Sequence, residues 1–200
     1  MEQLEGTAKA GGKAAAGQPA ATPQQPFLSD IQTLRKRARQ HMEEGAVTPG
    51  YAADRDTVVR VLNAALATEI VCQLRYKRHY FMADGIHAEA AKAEFLEHAG
   101  EEAQHADRIA ERIVQLGGAP DFSPDGLATR SHAEYAEGTT LRDMIEEDLV
   151  AERVAIESYR EIVLYLADRD PTTRRLMEEV LAAEEEHADD LVSLMKGMGA

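Results

Sequence analysis

The sequence has few of the residues that characterise disulfide-rich, zinc-binding or iron–sulfur modules. Its single cysteine, Cys72, excludes an internal disulfide framework, a four-cysteine zinc or rubredoxin site and a cysteine-ligated iron–sulfur cluster. Basic residues are also scarce, because 22 Lys and Arg stand against 36 Asp and Glu and give a formal charge of −14. Nucleic acids and anionic membranes attract basic surfaces, so this balance disfavours both as partners.

Long apolar runs are missing as well. No run approaches the roughly 20 residues needed to span a bilayer. The first residues also lack the apolar stretch of a secretion signal. We therefore expect a cytoplasmic protein without a membrane association. With 44% apolar residues over 200 positions, the chain is long enough to bury one core.

The first part of the chain predicts a tail and a short helix. Residues 1–27 are mostly Ala, Gly, Gln and Pro, which leaves almost nothing to bury, so we expect a disordered tail. A capping-box pattern at Ser29–Gln32 predicts a helix within residues 28–45 that ends near Gly45. This helix carries a cluster of four bases, Arg35, Lys36, Arg37 and Arg39. Such a cluster could touch DNA, but it is more often a solvated face or a subunit contact.

Residues 54–200 predict an all-α domain of four long helices, without any strand signal. The helices run from about Asp56 to Met82 and from His87 to Leu116, and two more open at Thr140 and Asp170. The first two and the last two are each joined by a few residues, so each pair must form an antiparallel hairpin. The twenty or so residues between the pairs, at roughly 3.3 Å per extended residue, can run the length of a bundle. The predicted fold is two hairpins joined by one long crossover.

Each predicted helix points one glutamate at the apolar seam, and two helices add a histidine three residues later. These residues are Glu69, Glu102, His105, Glu152, Glu184 and His187. A buried, unpaired carboxylate costs several kcal/mol, so four in one core need cations or protons. Two divalent metal ions would balance four carboxylates. One Glu from each of two helices with Glu-x-x-His from each of the other two is the pattern of di-iron and di-manganese bundles.

An internal repeat supports a symmetric site. The spacing between the first two of these glutamates differs by only one position from the spacing between the last two. Tyr76 and Tyr159 each lie two helical turns after the first glutamate of their hairpin. The two hairpins therefore look like halves of a pseudo-twofold unit. This symmetry would place two metal ions between them.

Three stretches, Leu62–Glu69, Glu101–Arg108 and Glu184–His187, resemble the bacterioferritin branch of the ferritin-like family. The resemblance covers about residues 57–194 and implies a ferritin-like four-helix bundle that binds two iron ions per subunit, with manganese as the other metal the ligands suit. It implies that Fe²⁺ is oxidised by O₂ or H₂O₂ and that the ferric product is stored in a protein shell.

The same resemblance assigns roles to the residues of the site. It implies that Glu69 and His105 bind one iron and that Glu152 and His187 bind the other. It implies that Glu102 and Glu184 bridge the two ions and that Tyr76 is a catalytic tyrosine held close to them. Tyr159 is interpreted as a core residue whose hydroxyl is hydrogen-bonded.

Two departures from bacterioferritins change the expectations. Ala103 stands where bacterioferritins carry a haem-ligating methionine directly after the first bridging glutamate, so we expect no haem. The stretch that follows His187 is too short for the fifth helix that lines the pore of a 24-subunit shell. We therefore expect a twelve-subunit, Dps-like homo-oligomer, with 24 subunits as the alternative.

Several alternatives remain open from the sequence alone. A di-iron peroxidase or a manganese catalase would use the same six ligands, because carboxylate and imidazole suit both metals. A DNA-protecting particle is less favoured, since Lys9 and Lys13 are the only bases before Pro26. Cys72 fits a small buried residue better than a redox partner. His98 fits a hydrogen-bonded seam histidine better than an accessory ligand.

Overall fold

The computed structural model describes residues 29–198, and four long helices form its core. Numbered in chain order, the α-helices are α1 (Ile31–Arg37), α2 (Arg55–Met82), α3 (Ala88–Gln115), α4 (Leu127–Arg130), α5 (Leu141–Leu166) and α6 (Pro171–Gly197). The main packing is of α2 on α3 and of α5 on α6, and contacts of α2 with α5 and of α3 with α6 join these two hairpins. The predicted all-α bundle of two hairpins is confirmed.

The predicted helix starts are formed by side-chain caps. At the start of α5, the backbone N–H of Asp143 donates to Thr140 Oγ1 and the N–H of Thr140 donates to Asp143 Oδ2, both at 3.1 Å. This is the capping box that the sequence predicts. At the start of α6, Asp170 Oδ1 accepts the N–H of Thr173 at 2.9 Å, and Pro171 takes the first helical position. These local signals explain why the helix boundaries could be predicted.

The crossover runs beside α2 and returns the chain to the other end of the bundle. Near the start of α2, the Asn63 amide donates to the carbonyl of Ala119 at 3.1 Å and accepts the N–H of Asp121 at 2.8 Å. Further along, Thr68 Oγ1 accepts the N–H of His132 at 2.9 Å. The short helix α4, which the sequence did not predict, lies within this segment and packs on α2. The crossover therefore spans the bundle as predicted.

A buried ion-pair network fixes the last part of the crossover. Arg75 Nε donates to Asp148 Oδ1 at 2.7 Å, and Arg75 Nη1 donates to the carbonyl of Glu134 at 2.9 Å. His79 Nδ1 lies 2.8 Å from Asp148 Oδ2, and its Nε2 lies 3.0 Å from the carbonyl of Glu137. The side chains of Arg75, His79 and Asp148 are fully buried. The network ties α2, α5 and the crossover together.

The apolar core forms two clusters, one toward each end of the bundle. The first includes Leu62, Leu66, Ile109, Ile113, Leu166 and Met177. The second includes Tyr76, Phe95, Ile145 and Leu191. On every long helix, the seam glutamate lies between the residues of these two clusters. The bundle therefore has a polar layer between two apolar ones.

The capping-box pattern predicted Ser29 as the N-cap of the N-terminal helix. In the structure the N-cap is Asp30. Asp30 Oδ1 accepts the backbone N–H groups of Gln32 at 3.0 Å and of Thr33 at 3.1 Å. No residue of α1 is buried. Its three bases, Arg35, Lys36 and Arg37, are exposed, and so is Arg39 just after the helix, as expected for a solvated face. The predicted tail of residues 1–27 lies outside the described residues.

The predicted extension of this helix to Gly45 is wrong. The α-helix ends at Arg37, and a separate 3₁₀ turn, Met42–Glu44, follows it. Between them, His41 has a φ of 51°, in the left-handed region that interrupts an α-helix. Because α1 buries nothing, no tertiary packing favours a longer helix, and short isolated helices are marginal in water.

Helix α2 is also the one helix among residues 29–198 that is long and apolar enough to cross a bilayer, which was not expected from the sequence because charged residues interrupt its apolar stretches. Half of its most apolar stretch is buried inside the bundle. It also carries the buried side chains of Glu69 and Arg75. The central helix of a water-exposed bundle meets the same criteria of length and composition, and we interpret α2 as such a helix.

Candidate metal centre

The six residues predicted as metal ligands lie together in the polar layer of the bundle. Glu69 comes from α2 and Glu152 from α5, while α3 and α6 each supply a glutamate and a histidine. Residues three apart share one helix face, so both Glu-x-x-His pairs point inward. The most exposed of the six, His105, has only 6% of its surface accessible. The layer is therefore closed to bulk water.

The six side chains form two overlapping groups of potential ligands. One group contains Glu69, Glu102, His105 and Glu184, and the other contains Glu102, Glu152, Glu184 and His187. In each group, one ligand atom from every residue lies within 4.8 Å of the others. His105 Nδ1 is 3.1 Å from both Glu69 Oε2 and Glu184 Oε1. His187 Nδ1 is 3.3 Å from Glu184 Oε2 and 3.5 Å from Glu102 Oε1. Ligand atoms that share one ion at about 2.0–2.2 Å are separated by similar distances.

Five polar atoms of this layer have no hydrogen-bond partner among the described residues. They are Glu102 Oε1, Glu152 Oε2, Glu184 Oε1, Glu184 Oε2 and His187 Nδ1. Buried polar atoms are hydrogen-bonded in the great majority of cases. Unpartnered carboxylate and imidazole atoms that converge on two points fit two metal ions. The donor set suits iron, manganese or zinc.

The carboxylates of the layer have displaced pKa values. Burial, and then repulsion from the neighbouring carboxylates, raises the pKa of Glu102 and Glu184 well above the usual range. Burial also raises the pKa of Glu152. For Glu69, burial acts in the same direction, but hydrogen bonds, first of all from His105, outweigh it and lower the pKa. Without a metal ion the layer therefore holds protons, which a bound ion would displace.

Two buried tyrosines hold the glutamates that belong to only one group. The Tyr76 hydroxyl donates to Glu152 Oε1, and the Tyr159 hydroxyl donates to Glu69 Oε1. Burial and the nearby carboxylates raise the pKa of both phenols well above the usual value, so both remain donors. The prediction that Tyr159 is buried with its hydroxyl hydrogen-bonded is confirmed. Its acceptor is a predicted ligand, however, so the geometry does not distinguish it from Tyr76.

A hydrogen bond outside the layer orients one histidine, and the sequence reasoning missed it. His187 Nε2 lies 2.7 Å from Glu101 Oε2, which leaves Nδ1 directed toward the ligands. Metal-bound histidines usually have such a partner on the second nitrogen. The sequence feature that could have indicated this partner is the second glutamate directly before Glu102. In the repeat, the position equivalent to Glu101 is Ala183, so the two halves of the site differ here.

His98 is buried on the seam as predicted, but the predicted hydrogen bond is not formed. Its Nδ1 has no hydrogen-bond partner within residues 29–198. Its Nε2 is 3.7 Å from Asp190 Oδ2 and 3.8 Å from Glu94 Oε2, which is too far for a hydrogen bond. The ring stacks on His187 with 4.0 Å between centroids.

Cys72 is a buried residue, as predicted. It packs with Ala133 and Ala151, and burial raises the pKa of its thiol. Its Sγ accepts a hydrogen bond from Arg75 Nη2 at 3.6 Å. A protonated, buried thiol is a poor nucleophile and a poor metal ligand.

The model of the Ferritin-like domain family matches residues 59–198 of this chain. The chain belongs to the ferritin-like family. This match covers the four long helices except the first turn of α2, and it includes all six residues of the candidate metal centre, so the ferritin-like fold predicted from the sequence is confirmed.

Individual relatives agree with the family match. The chain is 30% identical to the bacterioferritin of Mycobacterium tuberculosis over 142 residues, which is 70% of this chain and 85% of that protein. It is 31% identical to the dodecameric thioferritin, a bacterioferritin-related protein, of Bacteroides fragilis, with a TM-score of 0.71 over 74% of this chain and 89% of that one. The Dps of Thermosynechococcus elongatus shares the fold, at 22% identity and a TM-score of 0.67 over 70% and 90% of the two chains.

Proposed function

We propose that this chain is an iron-oxidising and iron-storing member of the ferritin-like family. In this proposal, Glu69, His105, Glu152 and His187 each bind one of two Fe²⁺ ions, and Glu102 and Glu184 bridge them. The observation that carries the proposal is the set of five unpartnered atoms that converge in the closed polar layer. The similarity to a bacterioferritin over 70% of the chain supports the assignment.

The substrates we propose are Fe²⁺ and either O₂ or H₂O₂. Oxidation of two Fe²⁺ ions releases two electrons, which with two protons reduce one H₂O₂ to two water molecules or one O₂ to H₂O₂. Two adjacent sites therefore match a two-electron oxidant. Manganese would suit the same ligands. We propose iron because the similar proteins are a bacterioferritin and a thioferritin. Ala103 gives no thioether ligand for haem, and we propose none.

The protein contributes charge, protons and position to this reaction. Four buried carboxylates favour divalent ions over water in the layer, since an unpaired buried charge is costly. The raised pKa values of Glu102 and Glu184 make these groups the source of protons released when the ions bind. Tyr76 and Tyr159 hold Glu152 and Glu69 in place by one hydrogen bond each. We infer that this arrangement limits movement of the ligands between the reduced and oxidised states.

The assembly we propose is a twelve-subunit shell that encloses the ferric product. The dodecameric relative from Bacteroides fragilis, matched over 89% of its length, supports this number over 24. The acidic balance of the chain favours attraction of Fe²⁺ over binding of nucleic acid. We propose the cytoplasm as its location, and a free, buried Cys72 is consistent with a reducing compartment.

Aerobic iron loading tests the proposed function. Purified protein receives Fe²⁺ in small portions, and size-exclusion chromatography then follows protein and iron absorbance together. We expect ferric iron to elute with the protein particle and to exceed two ions per chain by far. A protein that stays at two metal ions per chain and turns over H₂O₂ continuously would contradict storage and favour the peroxidase or catalase alternative.

A further inference from the structure

We propose that Glu94, His98 and Asp190 form a third metal site, which binds one divalent transition-metal ion beside the dinuclear centre. Glu94 and His98 lie one turn apart on α3, and Asp190 faces them from α6. His98 Nε2 is 3.8 Å from Glu94 Oε2 and 3.7 Å from Asp190 Oδ2, and one ligand atom of each residue lies within 4.8 Å of the other two. These distances exceed hydrogen bonds but suit three ligands that share one ion.

The unpartnered imidazole of His98 is the observation that points to a ligand. Only 1% of its surface is exposed, and its Nδ1 has no hydrogen-bond partner among the described residues. Its other nitrogen faces the two carboxylates at distances too long for hydrogen bonds. A buried imidazole normally satisfies at least one nitrogen. An ion bound at Nε2 would give the His98 ring one partner. One imidazole with two carboxylates suits Fe²⁺, Mn²⁺ or Zn²⁺.

The internal repeat shows that core packing does not require this cluster. In the other half of the repeat, the positions equivalent to Glu94, His98 and Asp190 are Leu176, Val180 and Arg108. Val180 is fully buried in the first apolar cluster. An aliphatic residue therefore fills the place of His98 where the bundle needs only packing. The polar cluster is specific to one half of the molecule.

The position of the cluster suggests what the ion does. The side chains of Glu94 and Asp190 are 35% and 47% exposed and line a surface cavity of about 410 Å³. On the inner side, the His98 ring stacks on His187, a proposed ligand of the dinuclear centre.

The role of this site as a relay rests on the proposed function. Three protein ligands leave coordination positions open to water, as in sites that exchange their ligands. The site lies between a surface cavity and the proposed dinuclear centre. We infer that the third site receives Fe²⁺ from solvent and passes it to the dinuclear centre. The binding of an ion at the third site does not itself depend on iron oxidation.

Anomalous diffraction with Zn²⁺, which is not oxidised, tests the binding. The variant Glu94→Gln/Asp190→Asn removes two ligands without changing side-chain size, and Glu97→Gln/Asp189→Asn is the control with the same charge change on adjacent exposed residues. Wild type and control should show zinc at about 2.0–2.1 Å from His98 Nε2, and the ligand variant should lose this peak but keep the two peaks of the dinuclear centre. Absence of the peak in wild type, or equal peaks in both variants, would overturn the site.

Iron oxidation kinetics test the relay. In the ligand variant we expect the Fe²⁺ concentration at half-maximal rate to rise about tenfold or more, with the maximal rate unchanged, because the loss concerns delivery and not the oxidising centre. The control variant should match wild type. An unchanged concentration dependence in a protein that oxidises Fe²⁺ would overturn the relay and leave the proposed function intact. If wild type oxidises no Fe²⁺, the proposed function fails, and the zinc peaks alone decide the third site.

Discussion

The two tyrosines of the polar layer are equivalent in their contacts, although only Tyr76 was predicted to be catalytic. Each belongs to one hairpin and donates its hydroxyl to a glutamate of the other hairpin. Both lie two helical turns after the first glutamate of their own hairpin, so the repeat itself contained the signal. The sequence interpretation overlooked that this spacing brings both hydroxyls to the centre. The contacts of the two tyrosines are therefore symmetric, whereas the catalytic role of Tyr76 stays a prediction.

We predict that Tyr76→Phe and Tyr159→Phe slow Fe²⁺ oxidation by similar factors. Each substitution removes the hydrogen bond that orients one terminal glutamate, and loss of such a partner costs on the order of 10–100-fold in metal affinity or activity. Stopped-flow absorbance at two Fe²⁺ per chain measures the effect. Tyr165→Phe, which changes a tyrosine that contacts Arg169 outside the layer, serves as the control. A wild-type oxidation rate in Tyr159→Phe together with a lower rate in Tyr76→Phe would contradict the prediction that the two tyrosines have equivalent roles.

The glutamates shared by both groups make the metal-free fold sensitive to pH. Glu102 and Glu184 have raised pKa values in the folded chain, so the folded state keeps protons that the unfolded state has lost. The contribution of these two groups to stability is then greatest below the ordinary glutamate pKa of about 4.3 and is lost as pH rises from there through the raised folded values. The same groups favour metal binding at higher pH, where protons compete less.

We predict that Glu184→Gln stabilises the metal-free protein at pH 8. The amide removes the cost of burying a charge, so the free energy of unfolding should rise by at least about 1 kcal/mol, or roughly 2–4 °C in Tm for a domain of this size. Thermal melts with a chelator at pH 5 and pH 8 measure the effect, and the gain should shrink at pH 5. The exposed Glu186→Gln should change neither melt. A lower Tm for Glu184→Gln at pH 8 would contradict the raised pKa.

At the scale of elements, the crossover is held by charge inside the bundle. Arg75 on α2 and Asp148 on α5 form a fully buried ion pair, and Arg75 also binds a carbonyl of the crossover. Neither position has a charged equivalent in the repeat, where Ser158 and Ala65 stand. The asymmetry has a physical reason, because only one crossover exists and it passes on one side of the bundle.

We predict that Asp148→Ala destabilises the protein by about 3–5 kcal/mol, because it leaves the guanidinium of Arg75 buried without its carboxylate. Urea denaturation at pH 7 measures this change in the free energy of unfolding. Glu137→Gln breaks the exposed ion pair with Arg78 and should cost less than about 1 kcal/mol. Similar decreases in the free energy of unfolding in the two variants would contradict the prediction that the buried Arg75–Asp148 pair is the more costly one to break.

The four long helices and the six candidate ligands could be predicted because their signals are local and repeated. The caps at Thr140 and Asp170 and the two Glu-x-x-His pairs are each contained within a few residues. The short helix α4, the buried Arg75 network and the cluster at His98 could not be predicted, because they depend on which segments meet across the bundle. The predicted end of α1 near Gly45 was wrong for the opposite reason. A local capping pattern predicted a long helix, but no tertiary packing stabilises one there.

At the scale of the whole molecule, exposed apolar residues provide surface for assembly. Phe81, Ile86, Leu96, Val150 and Leu164 are each at least half exposed in the single chain. A shell of identical subunits buries such residues in repeated contacts. The chain is thus suited to a closed homo-oligomer.

We predict a particle of twelve chains, which at 21.9 kDa per chain gives about 263 kDa. Multi-angle light scattering behind size-exclusion chromatography measures this mass directly. A mass near twice that value would indicate the 24-subunit alternative. A particle of only a few chains would leave no enclosed volume and contradict storage.

The most direct test of the proposed dinuclear centre is the stoichiometry of rapid Fe²⁺ oxidation. In stopped-flow mixing with O₂ or H₂O₂, the amplitude of the fast phase should saturate at two Fe²⁺ per wild-type chain. Glu102→Ala and Glu184→Ala should each abolish this phase, because each removes a carboxylate shared by both metal positions, while circular dichroism and particle mass stay unchanged. A fast phase of wild-type rate and amplitude in both variants would contradict the assignment of the centre.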